Sequence, residues 1–150
     1  MPHDIPSSLK ADHELLRAKL AVAVIAEGRV GEAARALAKL ILPHFAKEEA
    51  FAFPPLGMLR ALAAGEDIAD VKYALEMSEE LRDELPEMLE DHKAITVALN
   101  ILVEVSRDEM MPEYVRFAEQ VKMHAQFEEE ITYPAAILVG EFLHLQRGVK

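Results

Sequence analysis

Residues 44 to 54 read HFAKEEAFAFP and residues 124 to 134 read HAQFEEEITYP. Both spell His, three residues, Glu-Glu, three residues, an aromatic ring and Pro. Two further histidines follow an aspartate, in Asp12-His13 and, 79 residues later, Asp91-His92. The chain therefore writes "His, then HxxxE" twice. Imidazole and carboxylate are donors for borderline and harder transition ions, iron among them. A His and a Glu four apart on a helix share one face, one turn apart, so they can bind one ion or clamp two neighbouring ions. The candidate ligands are His13, His44, Glu48, His92, His124 and Glu128. Two six-coordinate ions offer about twelve positions. Four His, two bridging Glu and one bridging hydroxide or oxide fill about ten of them. About two stay open for water or a diatomic molecule, as ligand-binding metal sites require.

Those residues have to be carried on helices. Leu, Ala, Glu, Lys and Met dominate the chain, all strong helix formers, and the eight prolines and six glycines cluster at a few places. Helix 1 is expected over residues 7–28, with Ser7 or Ser8 as N-cap and Gly28 as its stop. Helix 2 is expected over 30–53, bent at Pro43 and ended by Pro54-Pro55. A short connecting helix is expected over 56–67. Helix 3 is expected to run to about residue 105, beginning near Ser78 or Leu85, with Pro86 as its first turn or a kink. Helix 4 starts near Pro112 and continues to about Gln146, kinked at Pro134.

Steps of three and four place one buried seam on each helix. The seams read Leu9, His13, Leu16, Leu20; Leu37, Ile41, His44, Glu48, Phe51; Leu81, Leu85, Met88, His92, Ile95, Leu99, Leu102; and Phe117, Val121, His124, Glu128, Ile131, Ala135, Leu138, Phe142. Each apolar seam is interrupted by one His. A polar group in such a seam is costly unless it is satisfied, so the six interruptions call for a shared explanation. The expected fold is all-α, an up-down-up-down four-helix bundle in one domain spanning residues 1–150. Each half of the repeat is expected to supply half of a dinuclear site, its HxxxE completed by the His of the preceding helix.

Composition narrows the function. There is no cysteine, which excludes disulfides, thiolate catalysis and thiolate-held metal. The net charge of −11 argues against nucleic acid and anionic membranes as partners. With 51% hydrophobic residues and a mean hydropathy of +0.05, the chain is globular rather than disordered. It carries no apolar run of spanning length and no signal-like start, so a cytoplasmic location is expected.

The ordered set DH, HxxxEE with a following FP, DH, and HxxxEE with a following YP resembles the hemerythrin-like, or HHE cation-binding, family from Leu9 to about Phe142. The resemblance implies a four-helix bundle around a non-haem di-iron centre, oxo- or hydroxo-bridged. It implies His13, His44, Glu48, His92, His124 and Glu128 as ligands, with Glu48 and Glu128 bridging. Manganese or zinc could take the same donors. Dedicated oxygen carriers of the family have two His one turn apart on the third helix, where this chain has Met88 and Thr96 flanking His92. They also place Asp five residues after the fourth-helix His, where this chain has Glu128 at four. The six-ligand pattern is closer to the hemerythrin-like domains of iron-responsive and iron–sulfur cluster repair proteins, without the cysteine-bearing region of the latter. The expected function is binding or sensing of O2, NO or peroxide, or iron handling, with room for a protein partner that the sequence does not name. The alternatives are a di-iron oxidase, peroxidase or repair enzyme, and a purely structural metal site.

Several residues are not assigned to the site on sequence grounds. Glu49, Glu129 and Glu130 are read as solvated. Asp12 and Asp91 point about 100° away from the neighbouring His, so they could serve only a His of another helix. Tyr133, nine residues after His124, is expected to face away from the site. His3 precedes the first helix. Glu141 and His144 form a single ExxH, where a ferritin-like site needs two. The methionines are read as packing residues.

Overall fold

The computed structural model describes residues 5–148, and His3 lies outside them. Six α-helices follow one another: α1 Ser7–Val24, α2 Gly28–Lys47, α3 Leu59–Ala63, α4 Val71–Asp108, α5 Pro112–Phe127 and α6 Tyr133–Gln146. Two π turns, Glu48–Ala52 and Glu128–Thr132, and a 3-10 turn, Pro54–Met58, join them. There is no strand among the described residues. The architecture is the all-α bundle that the seams demand.

The boundaries differ from the sequence expectation in instructive ways. Helix α1 begins at Ser7, but Pro6 is its cap, and no serine side chain caps it. The carbonyl of Pro6 instead receives the amides of Leu9 and Lys10 at 3.0 and 3.1 Å. Gly28 does not stop α1, which ends at Val24. With φ of +73°, Gly28 opens α2 in a backbone region that favours a residue without Cβ. Helix α4 is longer than expected, running 38 residues straight through Pro86. Its start at Val71 is set by Asp70, whose carboxylate accepts the Tyr73 amide at 3.4 Å.

The largest departure lies after each HxxxE. The Phe53 amide reaches the Glu48 carbonyl, five residues back, at 2.8 Å, and the Tyr133 amide does the same with Glu128. Pro54 and Pro134 follow directly. A proline has no N–H to offer the carbonyl four residues before it and clashes with that carbonyl; widening the turn relieves both problems. A π turn absorbs one extra residue, so every later position moves on by one. The seam expected at Ile131, Ala135, Leu138 and Phe142 is accordingly replaced by the buried residues Thr132, Ala136, Val139 and Leu143. Ile131, Leu138 and Phe142 are exposed. Pro134 sits in the first turn of α6.

Packing sandwiches the polar residues between two apolar clusters. One holds Leu16, Leu20, Leu37, Ile41, Leu99, Leu102, Phe117 and Val121. The other holds Phe51, Phe53, Leu56, Leu81, Met88, Tyr133 and Ala136. Helices α4 and α6 approach closely at Gly140, where an added Cβ would stand 2.0 Å from Ser78 Oγ and 2.7 Å from Ser78 Cβ. Gly140→Ala should therefore destabilise the protein by about 1–3 kcal/mol through overpacking. Ser78→Gly removes both obstructing atoms, so the double variant should recover part of that loss. Urea unfolding of the four proteins checks this; additive losses would show that the two positions do not clash.

Candidate metal centre

All six sequence-selected residues converge at mid-bundle. His13 comes from α1, His44 from α2, His92 from α4 and His124 from α5, while Glu48 and Glu128 are the first residues of the two π turns. Five of them are buried, and the His124 side chain is only 7% exposed. Their donor atoms form two groups, His13–Glu48–His124–Glu128 and His44–Glu48–His92–Glu128, each within 4.8 Å. Both carboxylates belong to both groups. Glu48 puts Oε1 3.0 Å from His13 Nε2 and Oε2 3.2 Å from His44 Nε2. Glu128 puts Oε2 2.8 Å from His124 Nε2 and Oε1 3.1 Å from His92 Nε2.

The pairing of histidines corrects the sequence expectation. Neither group is built from one half of the repeat: His13 joins His124, and His44 joins His92. Exchanging the two halves of the repeat turns one group into the other, as an approximate two-fold through the shared carboxylates requires.

In the first group, His13 Nε2, Glu48 Oε1, His124 Nε2 and Glu128 Oε2 are buried and have no hydrogen-bond partner. They lie close enough for ion pairs but lack the alignment of hydrogen bonds. Four orphaned donors that approach one another without bonding suit a cation common to all of them. The residues therefore fit a metal cation.

Sequence reasoning missed the outer ring of carboxylates. His13 Nδ1 donates to Glu49 Oε2 at 2.8 Å, and His44 Nδ1 donates to Asp91 Oδ2 at 2.9 Å. His92 Nδ1 donates to Glu129 Oε2 at 2.6 Å, and His124 Nδ1 pairs with Asp12. Each partner stands on a different helix from its histidine. Holding a proton on Nδ1 leaves Nε2 as the donor facing the centre, the usual arrangement of metal-ligating histidines. Arg17 braces Glu49 at 2.8 Å, and Lys47 braces Asp91 at 2.6 Å. The signal was present in the repeat, since the DH and EE pairs recur together, but which His each acid serves depends on helix packing.

Tyr133 was also misplaced. It is buried, and its hydroxyl lies 3.2 Å from His44 Nε2, 3.3 Å from His92 Nε2 and 3.4 Å from Glu128 Oε1. It also donates to Glu48. Five residues of uninterrupted α-helix would rotate Tyr133 about 140° from Glu128; the π turn brings it back over the carboxylate. Its counterpart Phe53 packs on the His13 ring, with centroids 4.9 Å apart, and Phe45 stacks on the same ring at 4.0 Å.

A family model for the hemerythrin HHE cation-binding domain matches residues 4–136. The chain belongs to the hemerythrin HHE cation-binding family. Comparison with curated proteins and with solved structures returned no match. Among the described residues of this hemerythrin-family chain, no helix is long and apolar enough to cross a membrane.

Electrostatics follow from six titratable groups in one apolar site. Burial pushes Glu48 up, and the nearby Glu128 charge pushes it further. Burial would also raise Glu128, but the close approach of the His124, His13 and His92 imidazoles holds it well below the usual carboxylate range. Burial lowers His13, yet the nearby Glu128 and Glu48 carboxylates and the hydrogen bond to Glu49 outweigh it and raise it to about 10. His92 is raised to about 8 by Glu128 and Glu129 against the same burial. In the metal-free protein both histidines thus bind protons more tightly than in the unfolded chain, where the value is about 6.5. Their contribution to stability is complete below about pH 6.5 and is lost as pH rises through 8 and then towards 10. The melting temperature of chelator-treated protein should fall progressively from pH 7 to pH 10. A flat profile would show that these imidazoles are not protonated in the fold.

Proposed function

We propose that this chain is a non-haem di-iron protein that binds or senses a small molecule, O2, NO or peroxide. His13 and His124 would hold one ion, His44 and His92 the other, and Glu48 and Glu128 would bridge the two. The observation that carries this reading is the pair of four-donor groups that share both carboxylates. Each group pairs the shared carboxylates with its own two histidines, which suits one ion per group. When bound, such an ion pair supplies open coordination positions for a small ligand and one-electron redox chemistry.

The surrounding residues suit that role. Two surface grooves flank α5. One is lined by Asp12, Leu16, Gln120, His124 and Phe127, the other by Pro86, His92, Thr96, Gln126 and Glu129. Each reaches the outer edge of one histidine, while the donors behind it stay buried. Phe45 and Phe53 cover His13, which keeps bulk water from that side and favours a small, weakly polar guest.

Elemental analysis of the purified protein, with visible spectra recorded without air and then in air, tests the proposal. The expected result is about two irons per chain, one for each donor group, and a visible absorption that changes on exposure to air. Two zinc ions and no spectral response would support a structural site. Little or no metal after anaerobic iron loading would refute the reading. His44→Ala and Glu128→Ala should each lower metal content and melting temperature together, because an ion held only by the folded state stabilises it. If both variants kept full metal and the wild-type melting temperature, the assignment of these donors would fail.

A further inference from the structure

The two donor groups are related by an approximate two-fold, but what stands over them is not. Over His13, the residue that follows the first π turn is Phe53, which offers no donor atom. Over His44 and His92, the residue that follows the second π turn is Tyr133. Its ring stacks on His92 with centroids 5.7 Å apart and planes 23° from parallel. Its oxygen is within hydrogen-bonding distance of all four donor atoms of that group, His44 Nε2, Glu48 Oε2, His92 Nε2 and Glu128 Oε1.

The distances resemble those within a ligand set. Donors on one ion with bonds of about 2.1 Å stand roughly 3.0 Å apart at octahedral angles and roughly 3.4 Å apart at tetrahedral ones. His44 Nε2 to Glu48 Oε2 is 3.2 Å, and His92 Nε2 to Glu128 Oε1 is 3.1 Å. The tyrosine oxygen stands 3.2, 3.3 and 3.4 Å from His44, His92 and Glu128. From these three donors it is spaced as they are from one another, while to Glu48 it donates a closer hydrogen bond. The four orphaned donor atoms all belong to the His13–His124 group; in the other group Tyr133 donates to Glu48, and His92 Nε2 pairs with Glu128 Oε1 at 3.1 Å.

We infer that Tyr133 is a seventh protein ligand, bound through its oxygen to the ion of the His44–His92 group alone, so that the two metal positions are chemically different. This rests on the proposed di-iron reading. On holding a ferric ion the phenol would release its proton to solvent and act as a hard anionic donor, which would favour the oxidised ion at that position over its neighbour. The His13–His124 group, with Phe53 over His13, offers no such donor, so an ion held there would leave more room for an external ligand.

The test is resonance Raman spectroscopy of protein loaded with ferrous iron and then oxidised, with iron counted by elemental analysis in the same sample. The expected result is a visible charge-transfer band carrying tyrosine ring modes. The chain has three tyrosines, and Tyr73 and Tyr114 lie near the starts of α4 and α5, away from the donors. Tyr133→Phe should keep two irons and lose both the band and the ring modes. Two irons in the wild type without tyrosine modes would overturn the inference and leave the di-iron reading standing. An unchanged spectrum in Tyr133→Phe would overturn it equally. So would unaltered spectra with tighter binding of the second iron, since the hydroxyl would then merely occupy the site. Should Tyr133→Phe fail to fold, wild-type protein grown on ring-deuterated tyrosine gives the same answer: the modes must shift, or the inference fails. Absence of iron from the wild type would take down both readings.

Discussion

Two carboxylates, Glu48 and Glu128, are buried side by side in an apolar bundle. Burial, and then the charge of Glu128, raise the cost of ionising Glu48. The rest of the centre can be understood as a response to that burden. Four imidazoles approach the carboxylate oxygens from four helices, and apolar clusters above and below exclude the water that would otherwise solvate the charge. In the metal-free protein, protons on the imidazoles offset part of the negative charge, which is why His13 and His92 hold theirs so tightly. Cations would do so more completely, since they satisfy all the inward donors at once.

The π turns place those carboxylates. Each begins at the glutamate and ends just before an aromatic residue followed by proline. The widened turn lets one short stretch direct two side chains to the centre, the glutamate and the ring five residues later. It also shifts the following helix by one residue, so α6 meets α4 through Ala136, Val139, Gly140 and Leu143. Duplication made the two halves alike; the difference between Phe53 and Tyr133 makes them unlike where an ion pair would notice it.

The six inward residues were legible in the sequence because two properties coincided there. They interrupt apolar seams at helical spacing, and they recur in the same order in both halves. The all-helical architecture was legible from composition and seam periodicity. What could not be read depended on hydrogen bonds outside the α pattern or on which helices become neighbours. The seam beyond Glu128 was misassigned because a uniform helical step was carried through a turn that bonds to the fifth residue back. Tyr133 was turned the wrong way for the same reason, although the Tyr-Pro pair marks the place. Glu49 and Glu129 were read as solvated, and Asp12 and Asp91 only as able to reach a His of another helix, because no spacing within one helix reveals which histidine each acid serves.

Those four acids have a collective property that none has alone. The His of α1 is held by Glu49 after α2, the His of α2 by Asp91 of α4, the His of α4 by Glu129 after α5, and the His of α5 by Asp12 of α1. The sequence of supports closes on itself, like a hoop around the bundle. A hoop has no end from which to be unpicked. Displacing any one helix frees its own imidazole and removes the brace from a neighbour's, so partial loosening spreads around the circuit instead of stopping at the first contact. A centre braced this way is expected to open as a unit rather than one histidine at a time.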